Sequence, residues 1–223
     1  MFIQFLVEDA SGAILIDNIM KIFIFDNDDI HIEYSINSYR GIGGFTKNRD
    51  PYASKSDKLL NDLPKRLKAF NFELMHRDDA VVIVVLDNDK RDPSEFLESL
   101  ESVAAAANIT IPYVFCLAVE EMEAWLLGDR EALIIAYPEM TDRIITKHAS
   151  YIQDSICGTW EVLADMLTRG GIDRFKKKNP TFYDVGKCKS DWAENIGQNL
   201  SIPDNASPSF SRFIQYIESK CEI

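Results

Sequence analysis

Apolar and polar positions follow two different periods along this chain, and the period changes again and again in the first 135 residues. "FIQFLVED" is an apolar run closed by acids and reads as a strand. "SGAILIDNIMKIF" has helical spacing, with Ser11 placed to cap it. "IHIEYSINSY" alternates apolar with polar residues and reads as a second strand. "GIGG" and "NRDPY" have loop chemistry. In "SKSDKLLNDLPKRLKAF" the leucines at 59, 60, 63 and 67 define an amphipathic helix. Pro64 disturbs its middle unless the helix starts close by. "DAVVIVVLDND" is a third strand, apolar on both faces, as a central parallel strand covered by helices must be. "PSEFLESLESVAAAAN" is a helix with Pro93 at its start. "PYVFCLAV" is a fourth strand, and "EEMEAWLLGDREAL" after it has helical spacing.

Strands that alternate with helices predict an α/β domain: a mostly parallel four-stranded sheet flanked by helices, with right-handed crossovers. That domain spans residues 1–135. Residues 136–223 read as a helical extension packed on it. Its parts are "YIQDSICGTWEVLADMLTRGG", a basic loop, "SDWAENIGQNL" and "SPSFSRFIQYIES". In the last of these Ser207 to Phe210 cap a helix, with Phe210 and Phe213 in the core.

Composition narrows the picture. Apolar residues make up 46% of the 223, enough for a sizeable core. No apolar run approaches the ~20 residues that span a bilayer, and the start has no signal-peptide pattern. Both point to a cytoplasmic protein without a membrane partner. Four scattered cysteines, with no C-x-x-C pair, read as reduced thiols, and three isolated histidines as structural or surface residues. The net charge of −12 argues against a whole surface that grips nucleic acid. A local exception runs from Arg169 to Lys189, where seven Lys/Arg face two acids around "RFKKKNP". Such a run is either a solvated face or a patch that meets phosphate.

The acids carry the candidate chemistry. In an open parallel sheet ligands bind beyond the carboxyl ends of the strands. Three predicted strands end there in carboxylates: Glu8 and Asp9, then Asp87 and Asp89, then Glu120, Glu121 and Glu123. Gathered carboxylates repel one another and lose hydration, and a hard divalent cation offsets that cost. In an extended strand Asp87 and Asp89 point to the same side, so both can address one metal. On a helix Glu120 and Glu123 share a face and Glu121 does not. Lys90 directly follows the D-x-D, and Lys187 and Lys189 share one face of an extended loop, so these three are the candidates to contact substrate phosphate.

A glutamate after the first strand with D-x-D after the third resembles the TOPRIM superfamily, the catalytic domains of topoisomerases, DnaG-type primases and OLD-type nucleases. "LVEDASG", "VVIVVLDNDKRD", "AVEEMEAWLLGD", "KCKSDWAENI" and "SPSFSRFI" are similar to small bacterial TOPRIM-like proteins of unknown function, often encoded beside an ABC/SMC-like ATPase in defence loci. The resemblance implies a Mg²⁺- or Mn²⁺-dependent nuclease acting on DNA or RNA, controlled by that ATPase. It implies Glu8 as general acid/base or further metal ligand, Asp87 and Asp89 as metal ligands, and Glu120 or Glu123 completing a second metal site. One departure stands out: many first motifs of that superfamily read "EG", and here Asp9 follows Glu8.

Two other classes compete. The domain is alternatively a non-catalytic docking module of an ATPase complex, which the Glu8-Asp9 departure favours. A phospho-receiver is disfavoured by the long interval from Glu8 to Asp87, and a dinucleotide site by the absence of G-x-G-x-x-G around "GIGG". Homo-oligomerisation is left open.

Overall fold

The structure, a computed structural model, describes residues 1–44, 58–155 and 158–221. The "NRDPY" loop and Cys157 lie outside the described residues. Four strands, β1 (Phe2–Val7), β2 (Glu33–Ser38), β3 (Ala80–Asp87) and β4 (Tyr113–Ala118), form one sheet in the order β2-β1-β3-β4. Every pairing is parallel. All four carboxyl ends therefore share one edge.

β3 is buried along nearly its whole length, and β1 along most of its own. Strand side chains alternate between the faces. Phe5, Val7, Ile83 and Val85 enter the larger core, while Leu6, Val82, Val84 and Leu86 enter the smaller. That double burial is why the β3 sequence reads as an unbroken apolar run. β2 lies at the sheet edge and keeps the alternating pattern of a half-exposed strand.

The smaller core is closed by α2 (Leu59–Leu74) and α3 (Pro93–Ala107). Pro64 falls at the sixth position of α2, inside the helix and not at its start. The other face carries α1 (Ala10–Asp26), then α4 (Glu123–Leu127), α5 (Arg130–Ala136), α6 (Thr141–His148), α7 (Thr159–Leu167), α8 (Gly171–Lys178), α9 (Phe182–Gly197) and α10 (Pro208–Cys221).

Three expectations are corrected. The cap of α1 is Asp9, whose Oδ1 accepts from Gly12 N at 2.8 Å; Ser11 lies inside the first turn and donates to the same oxygen. An aspartate with extended backbone outcompetes the serine because its carboxylate also meets the positive end of the helix. The stretch after Glu120 is not one helix: it breaks into α4 and α5, with Asp129 capping α5 through Ala132 N. The basic run is not a loop: α8 carries Lys176, Lys177 and Lys178 in its last turn, where cations suit the helix dipole. After a short turn, α9 starts at a Thr181/Asp184 capping box.

The C-terminal helices finish the larger core. Trp125, fully buried on α4, donates to Ser209 Oγ at 2.9 Å and lies 5.0 Å ring to ring from Phe213. Ser207 Oγ accepts from Phe210 N at 3.3 Å and so caps α10. Phe213 also reaches Phe5 of β1, at 6.2 Å. Among the described residues no helix is long and apolar enough to cross a membrane. Cys116, Cys188 and Cys221 are free thiols.

Candidate active site at the sheet edge

Glu8 follows β1 directly and turns its carboxylate across the strand ends. Oε2 accepts from Asp87 N at 3.3 Å, and Oε1 from Ile42 N at 3.1 Å. Ile42 belongs to the "GIGG" turn, where Gly41 takes φ +93°, a backbone region that favours glycine. The Gly41 N–H donates to the Glu8 carbonyl at 3.0 Å, so this turn is folded down on the glutamate. Its glycines position a catalytic candidate.

Asp87, the last residue of β3, accepts from Met122 N at 2.8 Å through Oδ1. No described group donates to its Oδ2. Glu123, the first residue of α4, is buried and faces Lys189 of α9, with Nζ 3.0 Å from Oε2. The contact is a close, largely buried ion pair. Burial, with Asp9 and Asp89 nearby, pushes Glu8 up to about 7. Burial and the charges of Glu8 and Glu123 raise Asp87 well above the usual carboxylate range. Burial raises Glu123 as well, against the pull of Lys189. Burial works against the charge of Lys189, yet Glu123, Asp87 and Glu121 together hold its pKa above the ordinary lysine value. The structure thus brings Glu8, Asp87, Glu123 and Lys189 into one electrostatic cluster, with Asp9 at its border.

Three further acids lie around this cluster in other geometry than their spacing predicts, and the charges of Asp89 and Glu121 reach it. Asp89 does not share a side with Asp87 by strand period, because β3 has ended: its φ is +49°, and its Oδ2 pairs with Arg91 at 2.8 Å. Glu120 does not share a helix face with Glu123, because it precedes the helix with φ +75°. Its two buried oxygens have no hydrogen-bond partner, and burial together with Asp154 and Glu121 pushes it up to about 7. The Asp89 N–H donates to the Glu120 carbonyl at 2.8 Å, so two non-glycine residues in left-handed backbone are bonded to each other beside the site. Each such conformation costs on the order of 1–3 kcal/mol and is characteristic of functional turns. Glu121 holds the start of α7 in place, where its Oε2 accepts from Thr159 Oγ1 at 2.9 Å and Trp160 N at 3.1 Å.

The lysines divide in the same way. Lys187 and Lys189 lie on a helix, so two residues apart they diverge. Lys189 turns inward, 16% exposed, onto Glu123. Lys187 stays in solvent and lines a groove of about 1510 Å³ with Asp9, Lys176, Phe182 and Tyr183. Lys90 is exposed on a smaller cleft of about 600 Å³, with Asp89 and Arg91. Trp160 lines both clefts.

The family model described as "Domain of unknown function (DUF4276)" matches residues 17–218. The chain belongs to that family. The matched span contains Asp87, Glu123 and Lys189 and begins after Glu8. No curated protein and no solved structure matches the chain.

Among the described residues no three His, Cys, Asp or Glu side chains are gathered so as to hold a metal ion. At the edge the Glu8 carboxylate accepts from the backbone N–H of Asp87, and no described group donates to Asp87 Oδ2. The donor set is hard oxygen alone. It fits a Mg²⁺ or Mn²⁺ ion held by one or two carboxylates and several waters, and it does not fit an all-protein cage. Asp87 would hold such an ion, with Glu8 beside it as general acid/base or further ligand.

Sequence reasoning missed the backbone donors Ile42 and Met122, the Arg91 partner of Asp89 and the aromatic wall of the groove. Backbone N–H groups leave no mark in a sequence. The aromatics did: "TFYD" opens a helix with two apolar residues where its core-facing spacing has not begun.

Proposed function

We propose that the chain is a metal-dependent phosphodiester hydrolase acting on nucleic acid. The observation that carries this reading is the carboxylate pair Glu8 and Asp87 at the carboxyl edge of a parallel sheet, both raised by burial and by the charge of neighbouring carboxylates. Acids held together at such cost are poised for a cation. A bound Mg²⁺ or Mn²⁺ would neutralise the charge that develops on a phosphate and lower the pKa of a bound water. The rest falls to the chain's own groups. Glu8, set beside Asp87 at the strand ends, can take a proton from attacking water and return it to the leaving oxygen. The backbone N–H groups of Asp87, Ile42 and Met122 fix the two carboxylates in place. Lys189 stays on Glu123 and limits the negative charge at the edge.

The resemblance to TOPRIM nucleases agrees with Glu8 and Asp87 and would add an ABC/SMC-like ATPase as the controlling partner. The assay is Mn²⁺-dependent cleavage of labelled single- and double-stranded DNA and RNA. Cleavage should fall at least 100-fold in Asp87→Asn and in Glu8→Gln. Cleavage that survives both substitutions, or its absence on all four substrates, contradicts the reading.

One observation favours a second reading, a non-catalytic docking module. The buried Lys189 ammonium already pairs with Glu123, and Glu8, Asp9 and Asp87 each accept internal hydrogen bonds. A site that satisfies itself needs no metal. Wild-type behaviour of Glu8→Gln in a complex with the ATPase would favour it.

A further inference from the structure

We infer that the groove beside the acidic edge is a track for single-stranded nucleic acid, with unpaired bases stacked on Phe182 and Tyr183. The inference rests on the hydrolase reading and names its substrate class. Phe182 and Tyr183 are 99% and 82% exposed at the first two positions of α9. The other aromatics that line the groove, Tyr39 and Trp160, are half-buried, while Phe175 and Trp192 lie in the core. Among the described residues these two adjacent rings make no ring contact, and set beside a cationic groove such a pair is a surface that another molecule can cover.

The charge around them selects the occupant. Among the described residues lining this groove, Lys and Arg outnumber acids, of which Asp9 is the one present, in a chain of net charge −12. Lys176 stands over the Trp160 ring at 5.5 Å, with Glu161 3.9 Å away. Lys187 makes no ion pair among the described residues. Cations interleaved with exposed aromatic faces are the binding chemistry of single strands, because phosphates meet the cations while free base faces stack. A duplex hides its base faces and leaves Phe182 and Tyr183 without partners. The groove lining includes Asp9 and Lys189, whose charges act on Glu8 and Asp87, so the groove borders the acid cluster.

The test is fluorescence anisotropy of a labelled thymidylate oligomer of about 15 nucleotides, a length that covers one single-strand site, with its uridylate counterpart and a blunt duplex, in EDTA at low salt. The chelator removes cleavage from the readout. The single strands should bind at least tenfold tighter than the duplex. Phe182→Ala/Tyr183→Ala should weaken single-strand binding at least tenfold, since it removes both stacking faces. Lys187→Glu should weaken it and flatten its salt dependence. Phe72→Ala, a 78% exposed ring on α2, should change nothing. Thermal melts of each variant should match wild type. Equal affinity for duplex, no single-strand binding at tens of micromolar protein, or an unchanged aromatic double variant overturns the track. Binding with no cleavage in Mn²⁺ would instead overturn the hydrolase reading alone, and cleavage without aromatic-dependent binding would overturn the track alone.

Discussion

Each acid at the sheet edge meets a different neighbour, and that neighbour decides what the acid does. Glu123 is balanced by Lys189, both largely buried. Removing the ammonium strands a buried carboxylate, so Lys189→Ala should lower stability by about 3–5 kcal/mol in urea unfolding. Lys189→Met/Glu123→Gln should recover most of that loss; if it does not, the pair is not the cause. Glu120 behaves oppositely, with no cation beside it. Its pKa rises from 4.5 to about 7. Between those values the folded chain keeps a proton that the unfolded chain has released, so stability falls as pH rises from about 4.5 to about 7. Glu120→Gln should flatten that decline in a series of thermal melts, and an unchanged slope would place the proton elsewhere. Little of this was legible in the sequence. Glu8 and Asp87 were, because both sit at the end of a strand and need no side-chain geometry to be placed. Asp89 and Glu120 were not: a period-two or helical spacing holds only inside an element, and both lie just outside one, in left-handed backbone.

The elements were the most readable level. β3 declared itself by an apolar run that only a twice-covered strand tolerates, and the parallel order followed from the intervening helices. Short polar segments misled. "KKKNPTFYD" has loop composition, yet α8 ends and α9 begins within it. A helix here follows from an apolar seam of Phe175, Trp192 and Ile196 that pairs distant residues. Two predictions belong to this scale. Asp9 caps α1 and also borders the acid cluster. Asp9→Asn keeps the cap and removes the charge, so it should leave stability nearly unchanged and lower the pKa of Glu8, whereas Asp9→Ala should cost about 1 kcal/mol. Titration of Glu8 by NMR and unfolding curves for both variants separate the two roles. Pro64 is exposed within α2 and removes a helical hydrogen bond. Pro64→Ala should therefore stabilise the chain, by on the order of 1–3 kcal/mol, as read from urea unfolding.

At the scale of the molecule, the C-terminal helices complete the site and the core together. α9 delivers Lys189 to the edge and Phe182, Tyr183 and Lys187 to the groove. α10 covers Trp125 and touches β1 through Phe213. A chain shortened to residues 1–135 would expose that face, so it should lose cooperative unfolding and aggregate; a sharp melt for it would mean that the sheet stands alone. The sequence placed these helices on the sheet without indicating which side chains they bring, since contacts so far apart along the chain have no local pattern. The central claim is that the Glu8 and Asp87 carboxylates are held away from their ordinary pKa for a divalent cation. Mn²⁺ titration at mildly alkaline pH, followed by calorimetry on wild type and Asp87→Asn, tests it most directly. The account predicts saturable binding in the micromolar to millimolar range that Asp87→Asn removes. No binding by the wild type at millimolar Mn²⁺, or binding that the substitution leaves intact, would contradict it.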